Sequence, residues 1–225
     1  MFTKRIVYVD IFRQNRMRWL ILKKGNIHDF YFHKAKREDY SARSVYKLKN
    51  IQEKYHLFSK GNKVLDLGAS PGSWTEYLIE ILGQSGTLVA LDLKPLSLTA
   101  HEKIKKMGLA FQFLEQSVFD DLPEDLPLFD AIVSDMAPAT QGNRTVDTAR
   151  SLELIERAYE ICRRHLKMGG HFVVKLFHSE DTITASKNWE SAFKMGKLVR
   201  PPAVRKESKE IYFVVQNFLG SDSSK

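Results

Sequence analysis

KVLDLGASPGSWTEYLIEIL, residues 63–82, is the stretch whose reading decides the fold. Lys63–Leu67 reads as a buried strand, because its apolar residues run together as they do where both faces of a sheet are covered. Gly68 and Gly72 then mark a tight turn, since glycine lets the backbone bend sharply and approach a ligand closely. From Trp74 to Leu82 the apolar spacing becomes helical. A dinucleotide site would need G-x-G-x-x-G here, so that the helix amino end could receive a pyrophosphate. The turn instead reads G-x-x-P-G-x-W. Pro71 removes one amide donor, and Trp74 fills the space that close helix packing would want. A ligand without phosphate fits better.

Outward from this stretch, strands and helices alternate. Strands are expected at Thr87–Leu91, Phe111–Leu114, Asp130–Ser134, His171–Phe177, Lys197–Val199 and Ile211–Gln216. Helices are expected over 42–58, around His101–Met107, over Asp147–Leu166 and near Ile183–Phe193. That alternation predicts an α/β fold with a mainly parallel sheet covered on both faces, and ligands at the carboxyl ends of its strands. Asp92, at the end of TLVALD, is placed to accept hydrogen bonds from two ribose hydroxyls. Turn and acid together, in this order, favour an adenosyl ligand.

The chain of 225 residues carries 35 Lys/Arg and 27 Asp/Glu, a net charge of +8. Residues 1–54 hold 14 of the basic and 5 of the acidic residues, leaving 21 and 22 for the remainder. The surplus therefore sits in the first quarter, among Phe, Tyr and Trp. Such a segment attracts phosphate, and its aromatics offer stacking surfaces for unpaired bases; a solvated face or a membrane-surface patch would look the same. Residues 1–41 are read as a basic extension, 42–219 as the catalytic-type domain and 220–225 as a flexible tail. A targeting segment or an overextended start is the alternative for the first residues. The longest apolar runs are strand-length, so no span is expected. Cys162 is the only cysteine, which excludes an internal disulfide and fits a reducing, cytoplasmic setting. No metal-ligand cluster is read from the seven histidines, and a monomer is expected.

GASPGSW, the strand-end Asp92, SDMAP (134–138) and VVKLF (173–177) resemble, in order, the motifs of the FtsJ/RrmJ family of S-adenosylmethionine-dependent RNA 2'-O-methyltransferases. The likeness runs from about Arg43 to Val215. It implies the Rossmann-like class I methyltransferase fold, a seven-stranded sheet whose last strand runs antiparallel. It also implies S-adenosyl-L-methionine as cofactor. Gly68, Gly72 and Trp74 would lie on the methionine and ribose side, Asp92 at the ribose and Asp135 beside the transferred methyl. Where the family has an acid for the adenine amino group, this chain reads FLEQSVFDD (113–121); Ser117 or the nearby Asp120 region stands there. The resemblance to the bacterial branch implies a uridine of large-subunit ribosomal RNA as acceptor. Ala139, where that branch often has asparagine, keeps tRNA or another RNA open.

The family's Lys-Asp-Lys-Glu signature has counterparts in Lys47, Asp135, Lys175 and Glu210. Their geometry can be reasoned independently. Asp135 follows the fourth strand and Lys175 lies late in the fifth, so both belong near the carboxyl edge. If the last strand is antiparallel, Glu210 begins it at that same edge. Lys47 must arrive from a helix folded over the pocket. Taken singly, Asp135 reads as a strand-end cap and Lys47 as a surface residue. Lys175 is different, because a lysine among Phe172, Val173, Val174, Leu176 and Phe177 is rarely buried without a partner or a task. Lys175 is expected to act either as general base, for which burial and Lys47 favour the neutral form, or as a protonated stabiliser of the alkoxide, which Asp135 and Glu210 favour. For RNA, Lys36, Arg37 and Arg43 precede Lys47, and Lys194, Lys197, Arg200, Arg205, Lys206 and Lys209 would extend the basic path. A non-catalytic RNA-binding protein on the same fold is the alternative.

Overall fold

The computed structural model describes residues 26–138 and 144–220. The basic start before Asn26, the SDSSK tail, and the ATQGN run that contains Ala139 lie outside the described residues. In chain order the elements are α1 (Asn26–Arg37), α2 (Val45–Tyr55), β1 (Lys63–Leu67), α3 (Ser73–Leu82), β2 (Thr87–Asp92), α4 (Leu98–Met107), β3 (Ala110–Glu115), β4 (Phe129–Ser134), α5 (Arg144–His165), β5 (Leu166–Phe177), α6 (Glu180–Glu190), β6 (Phe193–Val199) and β7 (Glu210–Phe218). The sheet runs β3-β2-β1-β4-β5-β7-β6. β7 is antiparallel to both neighbours and the other strands are parallel. The expected seven-stranded sheet with an antiparallel last strand is what the chain forms.

Alternation along the strands sorts the core into two layers. Leu65, Leu67, Ile132, Phe172 and Val174 face α5 and α6. Val64, Leu88, Val133, Val173 and Val214 face α2 and α3, where Leu48, Trp74, Leu78 and Leu82 cover them. Each layer removes water from one face of the sheet, and that burial drives assembly.

Several boundaries differ from the sequence reading for local reasons. α2 stops at Tyr55 because His56 turns left-handed, with φ 52°, and its N–H returns to the Gln52 carbonyl. The Gln52 side chain then holds the amides of Leu57 and Phe58 at 2.8 and 3.0 Å. α6 starts earlier than Ile183, at Glu180, because Ser179 and Thr182 form a reciprocal cap. It ends at Glu190, before Phe193, which already belongs to β6. β5 begins directly after α5, with a register break opposite Phe129 and Ala131, and Gly169 takes φ +77° within that break.

α1 was not expected as an element. Tyr31 and Ala35 on it, with Tyr40 after it, form a buried cluster with Val45, Tyr46 and Ala203. The packed body therefore reaches ahead of the expected boundary at residue 42. Lys34 and Lys49 lie 4.6 and 4.3 Å from the ring centres of Tyr46 and Tyr40, so cation–π contacts close the outer side of this cluster. The turn between α1 and α2 is tethered to α3 by Glu76, which is fully buried, accepts from the Ser41 N–H at 3.1 Å and pairs with Lys103 at 3.4 Å.

Candidate functional site

Strand order reverses between β1 and β4, and a cleft of about 580 Å³ opens there at the carboxyl ends of the strands. This is the place and the size expected for a small-molecule site in such a sheet. Gly68, Ser70, Asp92, Ser117, Asp135 and Met136 are among its walls. Gly68 takes φ +79°, and a Cβ there would stand 2.5 Å from Met136 Cγ. Only glycine lets the β1 and β4 loops close on each other. Gly72 takes φ +118°, and a Cβ there would stand 2.6 Å from Ala100 Cβ, which fixes α4 against the turn.

Asp92 is held by two main-chain donors, Ser70 N–H on Oδ2 and Lys94 N–H on Oδ1, each at 2.9 Å. These bonds aim the carboxylate, and its remaining lone pairs face the cleft. Gly72 and Trp74 are placed differently from the expectation that they line the ligand. Gly72 begins α3 without a side-chain cap, which leaves first-turn amides open toward the turn. The Trp74 indole is 2% exposed and faces inward: its Nε1 donates to the Ser44 carbonyl at 3.0 Å, and its ring lies 5.8 Å from that of Tyr212. Packing takes the Trp74 side chain, and neither residue is among the described residues that line the cleft.

The structure brings Lys47, Asp135, Lys175 and Glu210 together. Lys175, 8% exposed in its side chain, lies 3.1 Å from Asp135 Oδ1 and also donates to the Asp135 carbonyl oxygen. Lys47 pairs with Glu210 Oε1. Antiparallel pairing of β5 with β7 sets Phe177 opposite Glu210 and Lys175 opposite Tyr212, which is how residues far apart in sequence meet. Lys47 sits in the first turn of α2, where the helix dipole disfavours a cation and Glu210 supplies the compensating charge.

Tyr212 was missed by the sequence reading. Its hydroxyl lies 2.8 Å from Asp135 Oδ1 and is hydrogen-bonded to Glu210 Oε1 as well, so it joins the two acid–lysine pairs. One hydroxyl proton serves two carboxylates. Burial first, then Asp135 and Glu210, push the Tyr212 phenol well above its ordinary range, so it stays a donor. Burial alone would raise the Asp135 carboxyl, but Lys175, Lys47 and the Tyr212 hydrogen bond outweigh it and hold the group below its usual value. A signal for Tyr212 existed: strands have a period of two, so a strand that presents Glu210 presents Tyr212 on the same face.

Of the two candidates after β3, Ser117 is in the cleft wall. The Asp120 carboxylate turns back to accept from the Ser117 N–H at 2.9 Å. Arg157 of α5 fixes this loop, donating to the carbonyls of Val118 at 2.8 Å and Asp120 at 3.0 Å.

The basic approach is more structural than its composition suggests. Tyr31, Tyr40 and Tyr46 are buried and unavailable for stacking, whereas Phe32 is 52% exposed. Arg43 donates to the Ala203 carbonyl at 3.2 Å. Arg200 bridges the carbonyls of Arg205, Lys206 and Ser208 at 2.6–2.9 Å, shaping the loop ahead of β7. Lys36, Arg37, Lys194, Lys197, Lys206 and Lys209 remain exposed. Among the described residues no helix is long and apolar enough to cross a membrane.

Comparison with known proteins places this geometry. The profile of the FtsJ-like methyltransferases matches residues 40–218. Ribosomal RNA large subunit methyltransferase E of Bdellovibrio bacteriovorus is 43% identical over 192 residues, covering 84% of this chain and 96% of that protein. The protein of the same name from Treponema denticola is 41% identical over 196 residues, 85% of this chain and 96% of that protein. Among solved structures, one named as a ribosomal RNA methyltransferase of Plasmodium falciparum superposes with a TM-score of 0.66 at 24% identity, over 80% of this chain and all of that one.

Proposed function

This chain belongs to the FtsJ-like methyltransferase family, and from that premise we propose that it transfers a methyl group from S-adenosylmethionine to a ribose 2'-hydroxyl of large-subunit ribosomal RNA, a uridine, in the cytoplasm. One observation carries the reading: Asp135 is at once a wall of the small-molecule cleft and the partner of Lys175. A ligand in the cleft therefore ends where the buried lysine begins.

The cleft fits this cofactor by its charge. Among the described residues its walls contain the carboxylates of Asp92 and Asp135 and one cation, Lys94. Such a lining suits a sulfonium and an ammonium and opposes a pyrophosphate. Asp92 would hold the ribose hydroxyls, Ser117 would face the adenine, and the α3 amino end, with Gly72 and the Trp74 main chain, would meet the methionine end. S-adenosylmethionine, when bound, supplies the electrophilic methyl.

The remaining work falls to the chain's own residues. Lys47, Lys175, Glu210 and Tyr212 hold the acceptor hydroxyl in line beside Asp135; alignment of this kind contributes up to about 7–11 kcal/mol in favourable cases. Lys175 either takes the hydroxyl proton or, as an ammonium, holds the developing alkoxide while the proton leaves to solvent. Lys175 donates to the Asp135 carbonyl and lies 3.1 Å from its carboxylate, a position that suits either role. Lys175→Arg separates the two, since arginine does not act as a base near neutral pH; substantial surviving turnover assigns the electrostatic role. The exposed Lys36, Arg37, Lys206 and Lys209 would meet the RNA backbone, so binding should weaken with salt.

The test is mass-spectrometric mapping of ribose methylation in RNA from cells lacking the protein, together with labelled-methyl transfer by the purified chain to ribosomal particles. Loss of one 2'-O-methyl uridine from large-subunit RNA is expected. An unchanged methylation map, with no transfer in vitro, ends the proposal.

A further inference from the structure

An inner strand of the sheet, β1, carries an acid that the reaction above leaves without a part. Asp66, in the middle of β1, is 0% exposed. Its register partners on the neighbouring strands, Ala90 and Val133, are apolar. Oδ2 accepts from Thr75 Oγ1 on α3 at 2.7 Å, while Oδ1 is buried with no hydrogen-bond partner among the described residues. An ionised carboxylate left half unsatisfied in such a place is costly, and a neutral acid is far less so.

The charged groups acting on Asp66 come from both flanking strands. Asp92 ends β2 and Asp135 follows β4; both are carboxylates and both are cleft walls. Lys175 lies beyond Asp135, paired to it at 3.1 Å. On the α3 side the neighbouring Glu76 turns to Ser41 and Lys103. Burial first, then Asp135 and Asp92, push the Asp66 carboxyl up to about 7, against the lowering pull of the Thr75 hydrogen bond. Asp66 thus feels the charge of both walls between which a ligand would sit, and a cation placed there opposes the field that keeps it protonated.

We infer that Asp66 is a specificity residue of the donor site: it loses its proton to solvent when a cationic methyl donor fills the cleft, and regains one when the neutral thioether product replaces it. The inference rests on the S-adenosylmethionine reading of the cleft. Donor and product differ there by one positive charge, on sulfur. Asp66 touches neither and acts through the field between Asp92 and Asp135. The ionised state of Asp66 favours the donor, the neutral state favours exchange of the product, and proton release or uptake accompanies each.

Isothermal titration of the full chain with S-adenosylmethionine and with S-adenosylhomocysteine, between pH 6 and 8 and in buffers of different ionisation enthalpy, tests this without turnover. The sign follows from a pKa lowered on donor binding: donor affinity rises with pH through the free-state value and levels off above it. A shift of one unit makes the rise about tenfold, relative to product. Donor binding near pH 7 should release a fraction of a proton beyond that released by product. Asp66→Asn, which keeps an acceptor for Thr75, should abolish that excess release and lower the donor-to-product affinity ratio. Thr75→Val removes the hydrogen bond that favours the charged form, so it should move the rise to higher pH even if Asp66→Asn does not fold. Equal proton release for donor and product, or an Asp66→Asn protein with the wild-type ratio and slope, overturns the inference. If neither compound binds at any pH, the cofactor assignment itself fails, and that result is distinct from the first two.

Discussion

The donor cleft and the acceptor group share Asp135 yet are built in opposite ways. The cleft is lined by short runs that follow four strands, β1, β2, β3 and β4, and is shaped largely by main chain: glycines at positive φ and amides that aim Asp92. The acceptor group draws Lys47, Asp135, Lys175, Glu210 and Tyr212 from four elements or their ends and is held mainly by contacts between side chains. The contrast teaches where each half is vulnerable. The cleft fails when a backbone position is filled. The acceptor group fails when a charge loses its partner.

Substitutions can separate the halves. The largest effect is expected for Lys175→Ala, which removes the partner of Asp135 at the reacting edge. Methyl transfer should fall by about 10²–10⁴-fold, while S-adenosylmethionine affinity stays within a few-fold in a titration. Full turnover by this variant would dissolve the distinction between the halves. Gly68→Ala should do the reverse. The new Cβ enters the space of Met136 in a strained conformation, at a cost of about 1–3 kcal/mol, read as a lower melting temperature and weakened cofactor binding.

Tyr212→Phe leaves both ion pairs but removes the hydroxyl that joins them. A loss of about tenfold in turnover is expected, matching roughly one hydrogen bond, with cofactor affinity unchanged. Arg157→Ala is the mildest. It frees the Gln116–Asp121 loop beside Ser117, and a rise of about two- to five-fold in cofactor KM with little change in turnover is expected from the loss of hydrogen bonds at an exposed loop.

How much of this was legible follows the same division. The β1 turn and α3 announced the cleft because their signals are local: a strand, two glycines and a helical period. Lys175 could be singled out because a lysine inside HFVVKLF conflicts with its surroundings. Glu210 followed once β7 was taken as antiparallel. Tyr212 was passed over because an aromatic in a strand looks like core, and it is core except for its hydroxyl. Asp66 was hidden for the same reason, inside a strand among Val64, Leu65 and Leu67. α1 was missed because its basic surface dominates the composition, while the residues that seat it, Tyr31 and Ala35, only make sense beside Tyr46 and Ala203. The basic residues of the first quarter and of the loop before β7 were read as a surface for RNA. Arg43 and Arg200 instead tie down main chain, a use that composition does not reveal.

The Trp74 indole reaches from the turn that shapes the cleft to the Ser44 carbonyl, three residues ahead of Lys47. The cleft and the group around Lys47 are therefore built on parts that share a single strut. A change that re-angles α3 to reshape the cleft also swings Lys47, so neither half of the proposed site is free to drift alone.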